Sequence, residues 1–242
     1  MGVVKNIAKR HNLILIEDAA QAISAKYKQS YLGSIGDLGT FSFHQTKNIH
    51  CGEGGALLIN KKKFLQRSKI LREKGTNRKD FMDGKINKYE WVDLGSSYIP
   101  SELQGAFLYA QLKKLDKVIA SRLKIWNKYH RSFQSLEKEC KLIRPKVPLY
   151  NTNNGHMYFL ILKNKAMRDN FIKKMKEYNI QCTSHYVPLH KTFYGERFHK
   201  KNNKLINTEQ IANTIVRLPL WPGLEPYQDY VIEKAKIIIK NY

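Results

Sequence analysis

The chain has 242 residues, 42% hydrophobic and 26% charged, a composition that excludes a disordered protein and suits one large domain or two modest ones. No apolar run approaches bilayer length and Met1-Gly2-Val3-Val4-Lys5 opens no signal-peptide core, so the sequence predicts a cytoplasmic protein without a membrane span. Its net charge of +23 raises nucleic-acid binding, yet the lysines are spread over stretches such as Lys61-Lys62-Lys63, and no helix-turn-helix, zinc-finger or RNA-sheet signature is present. A solvated basic surface that favours anionic ligands is the plainer reading. Cys51, Cys140 and Cys182 are far apart, and the eight histidines are scattered, so neither a disulfide nor a metal site is predicted.

Residues 3–10 read as a short amphipathic helix. Leu13-Ile14-Leu15-Ile16 follows as a continuous apolar run ending in Glu17-Asp18, the pattern of a strand buried on both faces of a parallel sheet. Residues 38–43 and 55–60 read as two further strands, and 61–74 as a basic helix. Asp80 to Ser97 lacks periodicity and reads as a long loop that shapes a pocket. Ser101 with Gln104 forms a capping box opening a helix that carries Leu108, Leu112, Leu115 and Ile119 on one face, and a further helix covers 121–138. Pro145, Pro148 and the Asn151–Asn154 cluster read as a linker. Beyond it come a strand (156–162), a helix (166–178), a strand (182–187) and two helices near 208–216 and 227–240. The expected fold class is α/β, with a large mixed or parallel-sheet domain over residues 1–120 and a smaller C-terminal α/β domain over 121–242. A helix feeding a buried strand implies an earlier strand, so the large domain reads as lacking its N-terminal part.

One lysine stands apart. Residues 29–60 contain Lys47 and no other Lys or Arg, although 43 of the 242 residues are basic. It lies in Ser42-Phe43-His44-Gln45-Thr46-Lys47-Asn48, just before the turn Gly52-Glu53-Gly54-Gly55. A solitary lysine with a strand-end carboxylate, a nearby hydroxyl and flexible backbone is the equipment for holding pyridoxal phosphate as an imine. That cofactor needs an amine, a carboxylate that keeps the pyridine nitrogen protonated, and donors for its phosphate. Lys47, Asp18 and Ser42 can supply these in turn, and the C-terminal edge of an open α/β sheet is where ligands bind. Each also has a plainer reading: Asp18 as a helix cap, Ser42 as a buried hydroxyl, Lys47 as a surface lysine. Tyr98 and Tyr186 are substrate-facing or core, and His185 and His190 contact a sugar or nucleotide or are structural.

Several strings together resemble the DegT/StrS family of sugar-nucleotide aminotransferases: Glu17-Asp18-Ala19-Ala20-Gln21, Gly39 to Asn48, Gly52-Glu53-Gly54-Gly55-Ala56, Gly75-Thr76-Asn77-Arg78, Gly95-Ser96-Ser97-Tyr98, His185 to His190 and Arg217-Leu218-Pro219-Leu220. Within that family the strings are similar to the branch making 4-amino-4,6-dideoxygalactose on dTDP. The resemblance implies a fold type I pyridoxal phosphate-dependent transferase with active sites at a dimer interface. It makes Lys47 the imine lysine and proton shuttle, sets Asp18 on the pyridine nitrogen, Gln21 near the phenolic oxygen and Ser42 on the phosphate. It implies glutamate as amino donor, a dTDP-linked 4-keto-6-deoxy sugar as acceptor, and a role in surface polysaccharide such as lipopolysaccharide. At 97–99 the chain reads Ser-Tyr-Ile where many members carry Asn and Arg that reach the neighbouring subunit's cofactor.

Members of that family also carry well over a hundred residues before the Glu-Asp-Ala-Ala-Gln string. The expectations are therefore a homodimer or a partner of a separate N-terminal fragment, with weak or no activity of this chain alone. The competing readings are a non-catalytic remnant or partner subunit of a split aminotransferase and, from charge only, a nucleic-acid-binding protein.

Overall fold

The computed structural model describes residues 1–198 and 204–242, and they divide into two units: Met1–Lys117 with Leu149–Asn154, and Val118–Pro148 with Gly155–Tyr242. The first unit opens with α1 (Gly2–Arg10), followed by β1 (Ile16–Asp18), β2 (Lys26–Tyr27), β3 (Ser30–Tyr31), β4 (Leu38–Ser42) and β5 (Gly55–Ile59). β1 runs parallel to β4, with Glu17 beside Gly39 and Asp18 beside Thr40, and β5 pairs antiparallel on the other side of β4. The result is a mixed sheet of order β1-β4-β5. Helices α2 (Leu65–Arg72), α3 (Arg78–Met82) and α4 (Glu102–Leu112) complete this stretch. The capping box that opens α4 is formed: Ser101 Oγ accepts from the Gln104 amide, and Gln104 Oε1 accepts from the Ser101 amide.

The second unit is carried by α5 (Leu115–Ser132, most of which belongs here), α6 (Gln134–Lys138) and β6 (Leu142–Ile143). β7 (Asn151–Thr152) returns to the first unit, where it pairs with β2. Then come β8 (Tyr158–Leu162), α7 (Lys165–Glu177), α8 (Ile206–Thr214), β9 (Ile215–Leu218) and α9 (Gln228–Lys240). β8 is the middle strand of an antiparallel sheet, with β6 and β9 at its sides. Tyr158, Leu160 and Leu162 alternate onto its buried face and meet Tyr129, Phe133, Phe171, Met175 and Ile239. Each such side chain contributes about 1.5–3 kcal/mol by leaving water. Arg122 is buried at the foot of this unit, donating to the carbonyls of Gly155 (2.9 Å) and His156 (2.7 Å), and burial lowers its pKa to about 10.

Burial also pushes the Cys182 thiol up to about 12, so it carries no thiolate at pH 8. Exposed Cys140 should therefore react with an alkylating reagent at pH 8 while Cys182 stays unmodified until denaturant is added. Peptide mass mapping reads this directly, and early labelling of Cys182 would contradict the packing of the second unit.

The structure differs from the sequence-based elements at several places. Leu13, Ile14 and Ile16 are each more than half exposed, and the strand begins only at Ile16, because β1 is an edge strand with no layer over its outer residues among the described residues. The helix expected to carry Leu108 through Ile119 breaks at Lys113-Lys114, so Leu115 and Ile119 belong to α5. The 80–97 loop begins inside α3 and is tied back by the bridges Thr76 to Trp91 and Glu73 to Ser97. Asn151–Asn154 is no free linker: β7 pairs there, and Asn154 is buried. Residues 182–187 form no strand, only a single bridge between Thr183 and Arg217 on the outer side of β9. Among the described residues no helix is long and apolar enough to cross a membrane.

Candidate active site

Parallel pairing fixes where the candidate residues go. β1 ends at Asp18 and β4 ends at Ser42, so both side chains leave the sheet at the C-terminal edge of neighbouring strands. Alternation turns Asp18 to one face and Glu17 to the other. Glu17 is buried, and its carboxylate accepts three main-chain amides from the following turn: Gly33 (3.0 Å), Ile35 (2.5 Å) and Gly36 (2.6 Å). From the far side, Asn60 Nδ2 donates to the carbonyls of Gly33 (3.0 Å) and Gly36 (3.1 Å). Asp37 Oδ2 accepts from the Leu15 amide at 2.8 Å while its other oxygen pairs with Lys61. That ammonium, bonded first through hydrogen bonding and then by charge, holds the Asp37 carboxyl below the usual range. A Cβ on Gly39 would collide with the Gly33 carbonyl, so the turn can lie this close to β4 only over a glycine. The turn thus fastens β1 against β4 and sets the height at which Asp18 stands.

Lys47 sits on the loop that follows β4. Its base is closed by main-chain bonds from Phe43 to Gly54 (2.8 Å), Gln45 to Gly52 (2.8 Å) and Cys51 to Phe43 (2.9 Å), with Gly52 at positive φ allowing the return. Buried Phe43, Ile49 and Cys51 anchor it on Phe41, Ile23, Leu108 and Leu115. At its tip the Lys47 amide donates to His44 O (2.9 Å), and the half-buried Lys47 ammonium makes no ion pair among the described residues. Ser42 Oγ accepts from the His44 amide at 3.3 Å, which leaves its own proton free to donate. Asp18 Oδ1 accepts from the Ala20 amide at 3.2 Å, and Oδ2 has no bond among the described residues. Gln21 follows in the turn after β1 with its side chain exposed. An amine, an open carboxylate oxygen and a free hydroxyl proton at one sheet edge is a donor set that fits pyridoxal phosphate.

The other sequence-selected residues lie elsewhere. Tyr98, in the first unit, is exposed, its amide bonded to Arg72 O and Ser96 O behind α2. His185 and Tyr186 belong to the second unit and border a cleft of about 380 Å³ that Lys165, Arg168, Lys191 and Glu209 also line. Tyr186 is 94% exposed, whereas His185 packs edge-on against Phe159 and keeps a buried Nε2 without a partner among the described residues. Burial, and then the Arg217 guanidinium, lower the His185 pKa. His190 instead bonds Glu209 at 3.1 Å, and that bond, followed by the Lys191 charge, holds the Glu209 carboxyl low. Two residues that sequence reasoning missed are Glu17, read only as one of two strand-end acids, and Asn154, hidden in an apparent linker. Among the described residues no three His, Cys, Asp or Glu side chains gather as a metal site.

Comparison with known proteins agrees with this architecture. Residues 1–236 match the model of the DegT/DnrJ/EryC1/StrS aminotransferase family. The chain is 32% identical over 250 residues to the spore coat polysaccharide biosynthesis protein SpsC of Bacillus subtilis, covering 100% of this chain and 64% of that protein. It is 32% identical over 243 residues to the UDP-4-amino-4,6-dideoxy-N-acetyl-beta-L-altrosamine transaminase of Campylobacter jejuni, covering 98% and 60%. The crystal structure of S. venezuelae DesV in complex with a ketimine intermediate superposes with a TM-score of 0.87 at 25% identity, over 99% of this chain and 61% of that one. The chain therefore spans about three fifths of the length of the relatives it matches. It belongs to the DegT/DnrJ/EryC1/StrS aminotransferase family.

Proposed function

We propose that this chain carries the lysine-bearing part of a pyridoxal phosphate-dependent transaminase. Its acceptor is a nucleotide-linked 4-keto-6-deoxy sugar, with dTDP as the nucleotide, and its amino donor is glutamate. The product serves surface polysaccharide synthesis in the cytoplasm, and the protein works as a homodimer or together with a separate N-terminal fragment. Family membership and the sugar-transaminase name of a 32% identical relative support the reaction class. The observation that carries the reading is the shared sheet edge where Asp18, Ser42 and the Lys47 loop converge.

When bound, pyridoxal phosphate supplies an electron-poor ring that accepts the electron pair of a deprotonated carbon. The chain's own residues do the rest. Asp18 Oδ2 would hold a proton at the ring nitrogen, Ser42 Oγ would donate to the phosphate, and Gln21 would serve on the side of the phenolic oxygen. Lys47 Nζ would take the proton from one carbon and return it to another, a role that suits an amine with no ionic partner of its own among the described residues. Tyr98 in the first unit, and His185 and Tyr186 in the second, are the further candidates for contact with the sugar nucleotide.

The test is to add pyridoxal phosphate to the purified chain, reduce with borohydride and map the peptides. The expected product is a phosphopyridoxyl group on Lys47, preceded by an absorbance band near the visible edge of the ultraviolet. Modification spread over surface lysines, with Lys47 unmarked, would refute the assignment and favour the reading of a non-catalytic partner.

A further inference from the structure

Asn154 is 4% exposed and stands between two parts of the candidate site. Its side-chain Nδ2 donates to the carbonyls of Gln21 (2.8 Å) and Ile23 (3.0 Å), and its main-chain carbonyl accepts from Asn48 Nδ2 at 2.9 Å. Asn48 is itself buried and is the residue after Lys47. One residue, 106 positions from Asn48 and 133 from Gln21, thus joins the lysine loop to the segment after Asp18. The lysine loop needs such a hold. Gln45 and Thr46 beside Lys47 are exposed, and the loop's main-chain closures lie at its base. Buried amides and carbonyls stripped of their partners are costly, so this arrangement resists displacement.

We infer that Asn154 is a positioning residue: its bonds to Gln21, Ile23 and Asn48 fix the separation between the Lys47 loop and the turn after β1, and so the place of the lysine amine. The inference rests on the reading that Lys47 condenses with the cofactor. Asn154 is suited to the task because its segment is docked by other means. β7 pairs with β2, Lys26 N donates to Thr152 Oγ1 (2.8 Å), and Lys28 N donates to Tyr150 O (2.8 Å). Removing the side-chain amide leaves those anchors in place, which separates positioning from folding.

The experiment uses the full chain with Asn154→Ala, Asn154→Ser and Asn48→Ala. Trapping of Lys47 by pyridoxal phosphate with cyanoborohydride is followed by peptide mass across pH, and amide hydrogen exchange is read at residues 21–23 and 47–49. Asn154→Ala should slow trapping roughly tenfold to a hundredfold and move its pH midpoint, the scale expected when a reacting group is displaced. Exchange should rise at 21–23 in Asn154→Ala, which loses the side-chain donor, and at 47–49 in Asn48→Ala, which loses the donor to the Asn154 main-chain carbonyl. Asn154→Ser should restore part of the rate because its hydroxyl can serve one carbonyl, and Asn48→Ala added to Asn154→Ala should cost little more than the worse single change. Trapping by Asn154→Ala at the parent's rate and pH midpoint would overturn the inference. Should Asn154→Ala not fold, parent-like profiles in both Asn154→Ser and Asn48→Ala overturn it equally. If the parent chain itself is not trapped at Lys47, the transaminase reading fails. The positioning claim is then decided by exchange alone: loosening of 21–23 in Asn154→Ala and of 47–49 in Asn48→Ala upholds it, and parent-like exchange in either refutes it.

Discussion

Lys47→Ala should yield a folded chain that no longer takes up pyridoxal phosphate covalently, with any transamination reduced by about 10⁴-fold or more. The side chain is half-buried on a loop anchored by Phe43, Ile49 and Cys51, and its amine has no ionic partner among the described residues. Removing it strands no buried carboxylate, so the stability change should stay within about 1 kcal/mol. Lys47→Arg makes the argument sharper. It keeps the positive charge but replaces a titratable nucleophile with a guanidinium that stays protonated, so it should fail as fully as alanine. Borohydride trapping together with a single-turnover assay decides the matter. Arginine that kept turnover within tenfold of the parent would show that only charge was needed there.

Glu17→Ala is the change expected to harm the fold most. Its carboxylate is the acceptor for three amides of the Gly33–Gly36 turn, and the residue is 7% exposed. Alanine leaves those donors buried without a partner and should lower stability by about 3–5 kcal/mol, summing typical costs of unsatisfied groups. Glu17→Gln keeps one accepting oxygen and turns the other position into a donor facing an amide, so an intermediate loss is expected. Urea unfolding followed by hydrogen exchange at residues 33–36 measures this. The labelling pattern of Cys182 is the control that the second unit is intact. A loss below about 1 kcal/mol would mean that the turn finds other acceptors and that Glu17 does not hold β1 in register.

Local signals were the ones visible in the chain. The Ser101/Gln104 capping box needs only four residues and forms as its spacing predicts. β4 and β5 were legible because each is a short apolar run bounded by turn residues, and the strings around Lys47 are contiguous. What stayed hidden depends on distant partners. Glu17 looked like a neighbour of Asp18, and nothing in its period reveals bonds to amides 16 to 19 positions ahead. Asn154 carries the polar composition of a linker, yet its bonds reach back more than a hundred residues. Ile215 and Val216 were absorbed into the preceding helix because apolar residues fit either period, until pairing with β8 made them β9. Cys182–Val187 has the reverse history: despite its β-like composition it meets β9 only through the single bridge from Thr183 to Arg217.

The outer side of β1 leads to a consequence for handling the protein. Leu13, Ile14 and Ile16 lie more than half exposed along a backbone edge with no partner beyond it among the described residues, on a molecule of charge +23. In dilute buffer the repulsion between copies keeps such edges apart, and adding salt shortens that repulsion to roughly 10 Å at 0.1 M. Clumping should then set in as ionic strength rises, the opposite of a protein whose copies cling through charge.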